Sequence, residues 1–555
     1  MGGRLIGRPR SNGEEAIVSA IPPPAAEKFD PLDMHNYRID RLPKRRRTPT
    51  EIVLARAGIP LGIALFVLFG FLWTPQWLSG FGVEVLPKAA AAVLADVGAD
   101  EFVRRNSFML GIFLFAMVLW TTQSLPSYQT SLIVIIALVL TGVLTERAAY
   151  ANLGHPVMWL NIMSFILASM LVKTGLAKRF TLWFILRFGH NASQVFLSFI
   201  VINVVMSAFI SATTAKAAIL LPVFMVIAAI YGARPGPGKT NFGRNIVLQQ
   251  LLNINLGAGC FVTGSGANLL AAALIAGATG GAVYFADWMI AMLPTMVGLM
   301  LLGYVIGMRI IFPLEERQKL PQIEGGMDRL REEQAKLGKL GWDEIRAAVI
   351  FITILAFWAT DRLHGISPTA VAFVGAIVAL LPRVGVVEWN DIDIPWHLML
   401  FSAGAYTLGA GFSQTGLPNI GVQAFFTGIG LEEGAPFWAL YLILTGVMCY
   451  SALLSQSKTM RTMIFIPIAI GTADLFGFSI ISLALPVAFL IEHVYVLPFN
   501  SKPAALLYET DHYSLNDAMK FGLIMMTLGW IANIIMGETW FRFLGITPDG
   551  VFGLF

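Results

Sequence analysis

Charged side chains are scarce in this sequence. Asp, Glu, Lys and Arg make up 13% of its 555 residues, whereas 56% are hydrophobic. A soluble globular domain carries roughly 25% charged residues. A chain of this composition cannot cover a large water-exposed surface with polar groups, which excludes an ordinary soluble protein.

The sequence also has few cysteines and no recognisable group of catalytic residues. The two cysteines, Cys260 and Cys449, both lie in apolar runs. Two such residues specify neither a disulfide framework nor a metal site, so we expect packed thiols. No His, Asp or Glu group has metal-site spacing, and no nucleophile stands beside a general base. The sequence therefore predicts no metal site and no enzymatic activity.

Long hydrophobic runs, by contrast, recur along the whole chain. A helix of about 20 apolar residues crosses about 30 Å of hydrocarbon, whereas a β-barrel would show alternating segments of about ten residues. The pattern predicts an all-α polytopic membrane protein. The clearest runs are 53–73, 107–122, 129–145, 195–212, 284–312 and 519–537.

Two hydrophilic segments divide the apolar sequence. Residues 1–52 are polar and Pro-rich and end in RLPKRRRTPTE. Basic residues beside a first span favour the cytoplasmic side, so we expect a cytoplasmic tail rather than a nucleic-acid-binding arm. Residues 313–345 are too charged to enter lipid. They form a predicted cytoplasmic linker between two membrane halves, 53–312 and 346–555.

The two halves contain matching motifs in the same order. Thr174-Gly175-Leu176 recurs as Thr415-Gly416-Leu417, ATTAKAAILLPV (212–223) matches SKTMRTMIFIPI (457–468), and GSGAN (264–268) matches NSKPA (500–504). Three matches in register indicate an internal duplication. Duplicated halves with polar, Gly- or Pro-interrupted apolar segments are typical of secondary transporters.

At these motifs the chain resembles the divalent anion/sodium symporter family, which carries dicarboxylates, citrate or sulfate. The resemblance implies about eleven spans, two re-entrant hairpins, two inverted repeats, an elevator-like motion and a homodimer. It extends over most of the chain and is carried by WTTQSLPSYQTSLIVI (120–135), NIMSFILASMLVKTGLAKR (161–179), IPWHLMLFSAGAYTLGAGFSQTGL (394–417) and PFNSKPAALLYETDHYSLNDAMKFG (498–522).

The family's Ser-Asn-Thr triplets, whose oxygens hold sodium and substrate, are altered here. Counting back from Pro222 and Pro467 gives Ala212-Thr213-Thr214 and Ser457-Lys458-Thr459. Both asparagines are gone. Two unit charges about 4 Å apart repel by about 4 kcal/mol at an effective dielectric of 20, so an ammonium is incompatible with a neighbouring sodium ion. We expect the second sodium site to be absent and the first, where Ser211 could compensate, to be weakened.

The predicted site combines hydroxyls, amides and cations from both halves. An intramembrane charge costs roughly 2.5–3.5 kcal/mol, so clustered cations favour an anionic ligand; snorkelling to the interface or a surface position is the alternative. Because half-helix N-termini also attract anions, we expect substrate binding and accessory charge from two groups of residues. The substrate-binding group is Thr213, Thr214, Asn268, Ser457, Lys458, Thr459 and Ser501, and the accessory cations are Lys216, Arg461 and Lys502.

Glu492 and His493 are adjacent titratable residues in an otherwise apolar segment. A histidine beside a carboxylate is a candidate proton relay. The alternative is that Glu492 is an internal counter-ion for Lys458 or Lys502. Adjacent helical residues point about 100° apart, so the two side chains rarely serve one site.

The sequence therefore predicts a secondary transporter of a small multivalent anion, with a di- or tricarboxylate favoured. We expect sodium-independent transport by proton coupling or anion exchange, in a bacterial-type inner membrane, with no cofactor. The expected partners are the anion, the bilayer and a second copy of the chain, and no nucleic acid. Sodium-coupled symport is the alternative, and an embedded enzyme or receptor is an alternative of another class.

Overall fold

The computed structural model describes residues 30–37, 49–281, 283–323, 325–428, 435–455, 457–498 and 500–554. This part of the chain contains helices and turns and no β-strand, which confirms the predicted all-α class. The helices of the first half are α1 (Pro49–Val67), α2 (Lys88–Val97), α3 (Ala99–Thr122), α4 (Ser127–Leu140), α5 (Glu146–Tyr150), α6 (Pro156–Thr174), α7 (Leu176–Phe188), α8 (Ala192–Phe209), α9 (Thr213–Ile230), α10 (Asn241–Gly259), α11 (Gly266–Thr279) and α12 (Phe285–Ile306).

The remaining helices follow the charged segment that separates the halves. They are α13 (Gly326–Lys336), α14 (Trp342–Ala359), α15 (Asp361–His364), α16 (Pro368–Leu380), α17 (Trp396–Thr415), α18 (Leu417–Gly428), α19 (Phe437–Tyr450), α20 (Lys458–Leu475), α21 (Ile480–Phe489), α22 (Lys502–Tyr508), α23 (Leu515–Glu538) and α24 (Trp540–Phe543).

Seven helical segments of the described chain are long and apolar enough to cross a membrane, and five shorter apolar helices accompany them. The protein is therefore a multi-pass membrane protein. Five of the six predicted runs coincide with long segments, but the run 129–145 corresponds to α4, which ends at Leu140 before a turn at Gly142 (φ +73°). The seven are Ile52–Leu72, Ala99–Thr122, Glu146–Thr174, Ala192–Phe209, Thr213–Ile230, Phe285–Ile311 and Leu515–Phe543.

The matched motifs of the two halves have the same local structure. α6 and α17 both end at a threonine followed by a left-handed glycine, Gly175 (φ +68°) and Gly416 (φ +63°). In both turns the threonine hydroxyl donates back to its helix and accepts the N–H of the following leucine. These turns lie where hairpins are predicted. Their re-entrant course, the inverted relation of the halves and the number of spans stay predictions.

The charged linker lies over the ends of α7 and α9. Arg179 Nε is 2.5 Å from Glu344 Oε1, and Lys178 Nζ is 2.9 Å from Glu333 Oε2. The N–H of Gln322 donates to the Ile230 carbonyl at 2.8 Å, at the end of α9. α14 begins at Trp342, inside the predicted linker range 313–345.

Part of the predicted N-terminal tail packs onto this end of the molecule. Residues 30–37, the N-terminal strap, include a 3₁₀ turn at Met34–Tyr37 that contacts α9. Met34 is 5% exposed and lines a cavity of about 410 Å³ with Leu171, Ile219 and Pro222. The basic cluster KRRR at 44–47 lies outside the described residues.

Candidate anion-binding site

Two helices begin at breaks in the apolar chain, and their first residues are the altered triplets. α9 and α20 each have 18 residues, with proline at the tenth position. The Ser457 hydroxyl caps α20 by accepting the Met460 N–H at 3.2 Å. In the described chain α9 has no side-chain cap. Its first N–H groups therefore carry the partial positive charge of a helix N-terminus without a local side-chain acceptor.

Lys458 connects the starts of these two helices. Its ammonium Nζ lies 2.6 Å from Glu492 Oε2 and 3.5 Å from Thr213 Oγ1. Thr213 is the first residue of α9, and Lys458 is the first residue of α20. The Lys458 side chain is 13% exposed. It therefore lies inside the protein, between the two broken helices, rather than in lipid or headgroups.

Glu492 extends this contact back to the first half. Its second oxygen, Oε1, accepts a hydrogen bond of 2.5 Å from the hydroxyl of Ser265, which is the N-cap of α11. The Glu492 side chain is 1% exposed. Thr213, Lys458, Glu492 and Ser265 thus form a continuous polar chain that begins and ends in the first half and passes through two residues of the second half.

The side chain of His493 points away from the contact between Glu492 and Lys458. Its ring packs against Phe489 and Tyr495, and its Nε2 lies 2.4 Å from the position that a Cβ on Gly529 would occupy. In the described chain neither ring nitrogen has a hydrogen-bond partner. The structure therefore brings Glu492, and not His493, to Lys458, while a proton-relay role stays a prediction.

Lys216 and Arg461 are the two fully buried lysine or arginine side chains of the described chain. Each lies at the fourth residue of its helix, and each bonds to oxygens of its own half. Lys216 Nζ donates to Ser207 Oγ at 2.7 Å, and Arg461 Nε donates to Ser451 Oγ at 3.0 Å. The Arg461 guanidinium also donates to backbone carbonyls, including that of Ile491 at 3.3 Å.

The other predicted residues divide between loop-holding and exposed positions. The Asn268 amide donates to the carbonyls of Ala258 and Phe261, which holds the turn before α11. Ser501 caps α22 and donates to the Val494 carbonyl at 3.3 Å. Thr214 and Thr459 are half-buried on the first turns of α9 and α20, whereas Lys502 is exposed. The four predicted cations therefore have distinct environments, and in the described structure Lys458 alone of them has side-chain hydrogen bonds to both halves.

Ser265 is a site residue that the sequence interpretation did not select. It occupies the position in GSGAN that matches Ser501 in NSKPA, and Ser501 was selected. The internal repeat therefore contained the signal for it. Its importance depends on the contact with Glu492, which lies 227 residues away in sequence.

Comparison with known proteins identifies the family of this chain. The family described as "Sodium:sulfate symporter transmembrane region" matches residues 98–547. The chain belongs to this family. The resemblance to divalent anion/sodium symporters is thereby confirmed, and the protein is a membrane transporter of small anions and not an enzyme.

Relatives of this sodium:sulfate symporter family member occur in bacteria and in plants. The "Sodium-dependent dicarboxylate transporter SdcS" of Staphylococcus saprophyticus is 24% identical over 86% of this chain and 90% of the relative. The "Dicarboxylate transporter 1, chloroplastic" of Arabidopsis thaliana is 25% identical over 82% of each chain. A "Membrane protein" of Cupriavidus necator is 23% identical over 85% of this chain and 94% of the relative.

In this family member, basic side chains outnumber carboxylates at the site. Lys458, Lys216 and Arg461 are all close enough to Glu492 to interact with it electrostatically. The buried acids of the described chain other than Glu492 have different partners: Glu344 pairs with Arg179, and Asp361 and Glu538 accept backbone N–H groups. One carboxylate thus faces three basic side chains, an arrangement that suits a multivalent anion.

Proposed function

We propose that this protein is a secondary transporter of a di- or tricarboxylate and that it works without sodium, by proton coupling or anion exchange. The observation that carries the proposal is the position of the Lys458 ammonium. Lys458 is the first residue of α20, and its Nζ lies 3.5 Å from the hydroxyl of Thr213, the first residue of α9, and 2.6 Å from the Glu492 carboxylate. A fixed cation at this position supplies the charge that a dissolved cation would otherwise bring.

The chemistry of the site supports a carboxylate ligand. The N–H groups at the start of α9 and α20 are donors for an anion, as at other helix N-termini. Thr213 Oγ1 lies 3.5 Å from the Lys458 ammonium, and Thr214, Ser457 and Thr459 provide further hydroxyl groups at the starts of α9 and α20. One end of a dicarboxylate would bind here, while the excess positive charge from Lys216 and Arg461 stabilises its second carboxylate.

The Lys458–Glu492 pair also suggests how transport is coupled. A substrate carboxylate that binds the Lys458 ammonium competes with Glu492 for the same cation. A buried carboxylate that loses its counter-ion is costly to keep charged, which favours protonation of Glu492. Binding of the anion would then take up a proton. Without substrate, the positively charged carrier would reorient slowly, which favours exchange of one anion for another.

The names of two relatives favour dicarboxylates as the substrate class. The staphylococcal relative is called a sodium-dependent dicarboxylate transporter, and the Arabidopsis relative is called a dicarboxylate transporter of the chloroplast. We propose a homodimer in a bacterial plasma membrane, with the N-terminus in the cytoplasm. An organellar membrane is the alternative that the chloroplast relative favours.

Uptake of radiolabelled succinate into proteoliposomes tests the proposal. With sodium replaced by choline, we expect the initial rate to be unchanged, while the staphylococcal relative serves as the control for sodium dependence. Loading the vesicles with unlabelled succinate should raise the rate if exchange operates, and an inward proton gradient should raise it if protons are coupled. Strict dependence on sodium would refute this interpretation of Lys458.

Sodium-coupled symport is the second candidate, because buried oxygens remain in the loops of the first half. In the described chain, Ser211 Oγ, Thr263 Oγ1 and Asn268 Oδ1 are buried and have no hydrogen-bond partner. Hydroxyl and amide oxygens are suitable ligands for a hard cation. The choline experiment decides between the two candidates, since a first-half sodium site predicts loss of uptake despite the presence of Lys458.

A further inference from the structure

Arg461 binds the ends of two helical segments at once. Its guanidinium donates to the carbonyls of Met448, Leu490 (3.4 Å) and Ile491 (3.3 Å), and its Nε donates to Ser451 Oγ (3.0 Å). The side chain is 1% exposed. These acceptors account for most of the donors on the guanidinium, so Arg461 has little capacity left for a substrate.

The carbonyl acceptors of Arg461 lie at the C-terminal ends of helical segments. Met448 lies in the last turn of α19, and Leu490 and Ile491 belong to the 3₁₀ turn Leu490–Glu492 that follows α21. A cation is favourable at both ends because the helix dipole is negative there. Arg461 therefore joins α19 and the Leu490–Glu492 turn to the first turn of α20.

Glu492 follows directly after the two carbonyls of the turn that Arg461 holds. Lys458 lies three residues before Arg461 on α20, so the two cations lie on neighbouring positions of one helix face. Lys458 binds the Glu492 carboxylate, and Arg461 binds the backbone that carries it. Two successive cations thus fix the same short turn against α20.

The equivalent residue of the first half lacks this arrangement. Lys216 occupies the same helix position on α9, but the hydrogen bond found for its ammonium in the described chain goes to Ser207 Oγ, at 2.7 Å. An ammonium also presents its donors from one point, whereas the planar guanidinium reaches several carbonyls. The clamp on the turn is therefore specific to Arg461 and to the second half.

We propose that Arg461 is a positioning residue for the Lys458–Glu492 ion pair. It holds the Leu490–Glu492 turn at the distance from α20 at which the Glu492 carboxylate meets Lys458. Weakening the clamp should let the carboxylate separate from the ammonium and become protonated. The consequence for transport rests on the proposed function, whereas the geometry of the pair does not.

Labelling with an apolar carbodiimide, which reacts with protonated buried carboxyl groups, tests the positioning role without any substrate. Wild-type Glu492, which is paired with Lys458, should label weakly by mass spectrometry, and Glu492 in Lys458→Met should label strongly. We expect Arg461→Lys and Arg461→Gln to raise labelling of Glu492 at least fivefold. Ser451→Ala removes one acceptor of the clamp and should raise labelling by a smaller factor.

Glu538 is the matched internal control because it is a buried carboxylate held by other groups, the N–H groups of Val551, Phe552 and Leu554. Its labelling should not change. Three results would overturn the proposal. They are unchanged labelling of Glu492 in folded Arg461 variants, strong labelling of Glu492 in the wild type, and a rise in labelling of Glu538 equal to that of Glu492. If the Arg461 variants do not fold, Ser451→Ala decides by the same criteria.

A double-mutant cycle on succinate uptake tests the consequence for transport. If Arg461 acts through Glu492, Arg461→Lys should lower KM severalfold in the wild-type background, because a released Glu492 no longer competes with the substrate for Lys458. It should have little further effect in Glu492→Gln. Additive effects would indicate a direct contact with substrate and overturn the positioning role. If the wild type moves no anion while the labelling result holds, the proposed function fails and the positioning role survives.

Discussion

Ser265 and Ser501 begin α11 and α22 with nearly identical backbone angles (φ −155°, ψ 155° and φ −155°, ψ 158°), yet their hydroxyls have different acceptors. Ser265 donates to the Glu492 carboxylate, and Ser501 donates to the Val494 carbonyl. Equivalent capping positions of the two halves have thus acquired different tertiary roles.

This pair gives a matched test of the site. Ser265→Ala and Ser501→Ala each remove an N-cap, which costs about 1 kcal/mol of stability. Ser265→Ala also removes a hydrogen bond to Glu492, so we expect it alone to change the affinity for succinate severalfold. Thermal unfolding and substrate titration of both variants measure this. Equal effects on affinity would contradict a specific role for Ser265.

Substituting Lys458 should lower the stability of the protein, because Glu492 then stays buried without an ion-pair partner. Lys458→Met leaves Glu492 buried without its cation, and breaking such a pair costs about 3–5 kcal/mol. We expect Lys458→Met/Glu492→Leu to recover most of this stability without recovering anion binding. Unfolding in detergent and a binding assay separate the two effects. If Lys458→Met were as stable as the wild type, the Lys458–Glu492 pair would contribute nothing to the stability of the protein.

We expect the glycine turns of the two halves to differ in how much stability a glycine-to-alanine substitution costs. Both glycines have φ near +65°, where alanine costs roughly 1–2 kcal/mol. A Cβ on Gly175 meets nothing within 4 Å, whereas one on Gly416 lies 3.0 Å from Leu86 Cδ2 and 3.1 Å from Ala90 Cβ. Gly416→Ala should therefore lower Tm more than Gly175→Ala. The reverse order of Tm values would argue against this packing.

The N-terminal strap should detach when its buried anchor becomes polar. Met34 is buried against α9 and the turn after α6. Burying a methionine contributes about 1.5–3 kcal/mol, so we expect Met34→Asp to expose residues 30–37 to limited proteolysis and Met34→Leu to leave them protected. The exposed Asp30–Arg329 contact (3.2 Å) should matter little, since such pairs are screened by water. Equal protection in all variants would contradict the anchor.

Part of the site followed from the sequence. The repeat alignment predicts Lys458 and Thr213 as site residues, and the two contact each other. The isolated acidic residue Glu492 in an apolar segment is a candidate counter-ion, and its carboxylate lies 2.6 Å from the Lys458 ammonium. The alignment places Lys502 among the accessory cations, with a surface position as the alternative, and in the structure Lys502 is exposed. The different environments of Lys458 and Lys502 depend on neighbours that a motif does not contain.

The sequence by itself determined the membrane class, the helix starts and the capping turns. These features depend on hydropathy over about 20 residues and on hydrogen bonds between close neighbours, such as Ser457 to Met460. Only the tertiary structure decided the partners of the buried charges. Lys458 meets Glu492 from 34 residues away and Thr213 from 245 residues away. No local pattern encodes such distances, because they arise when separate helices pack together.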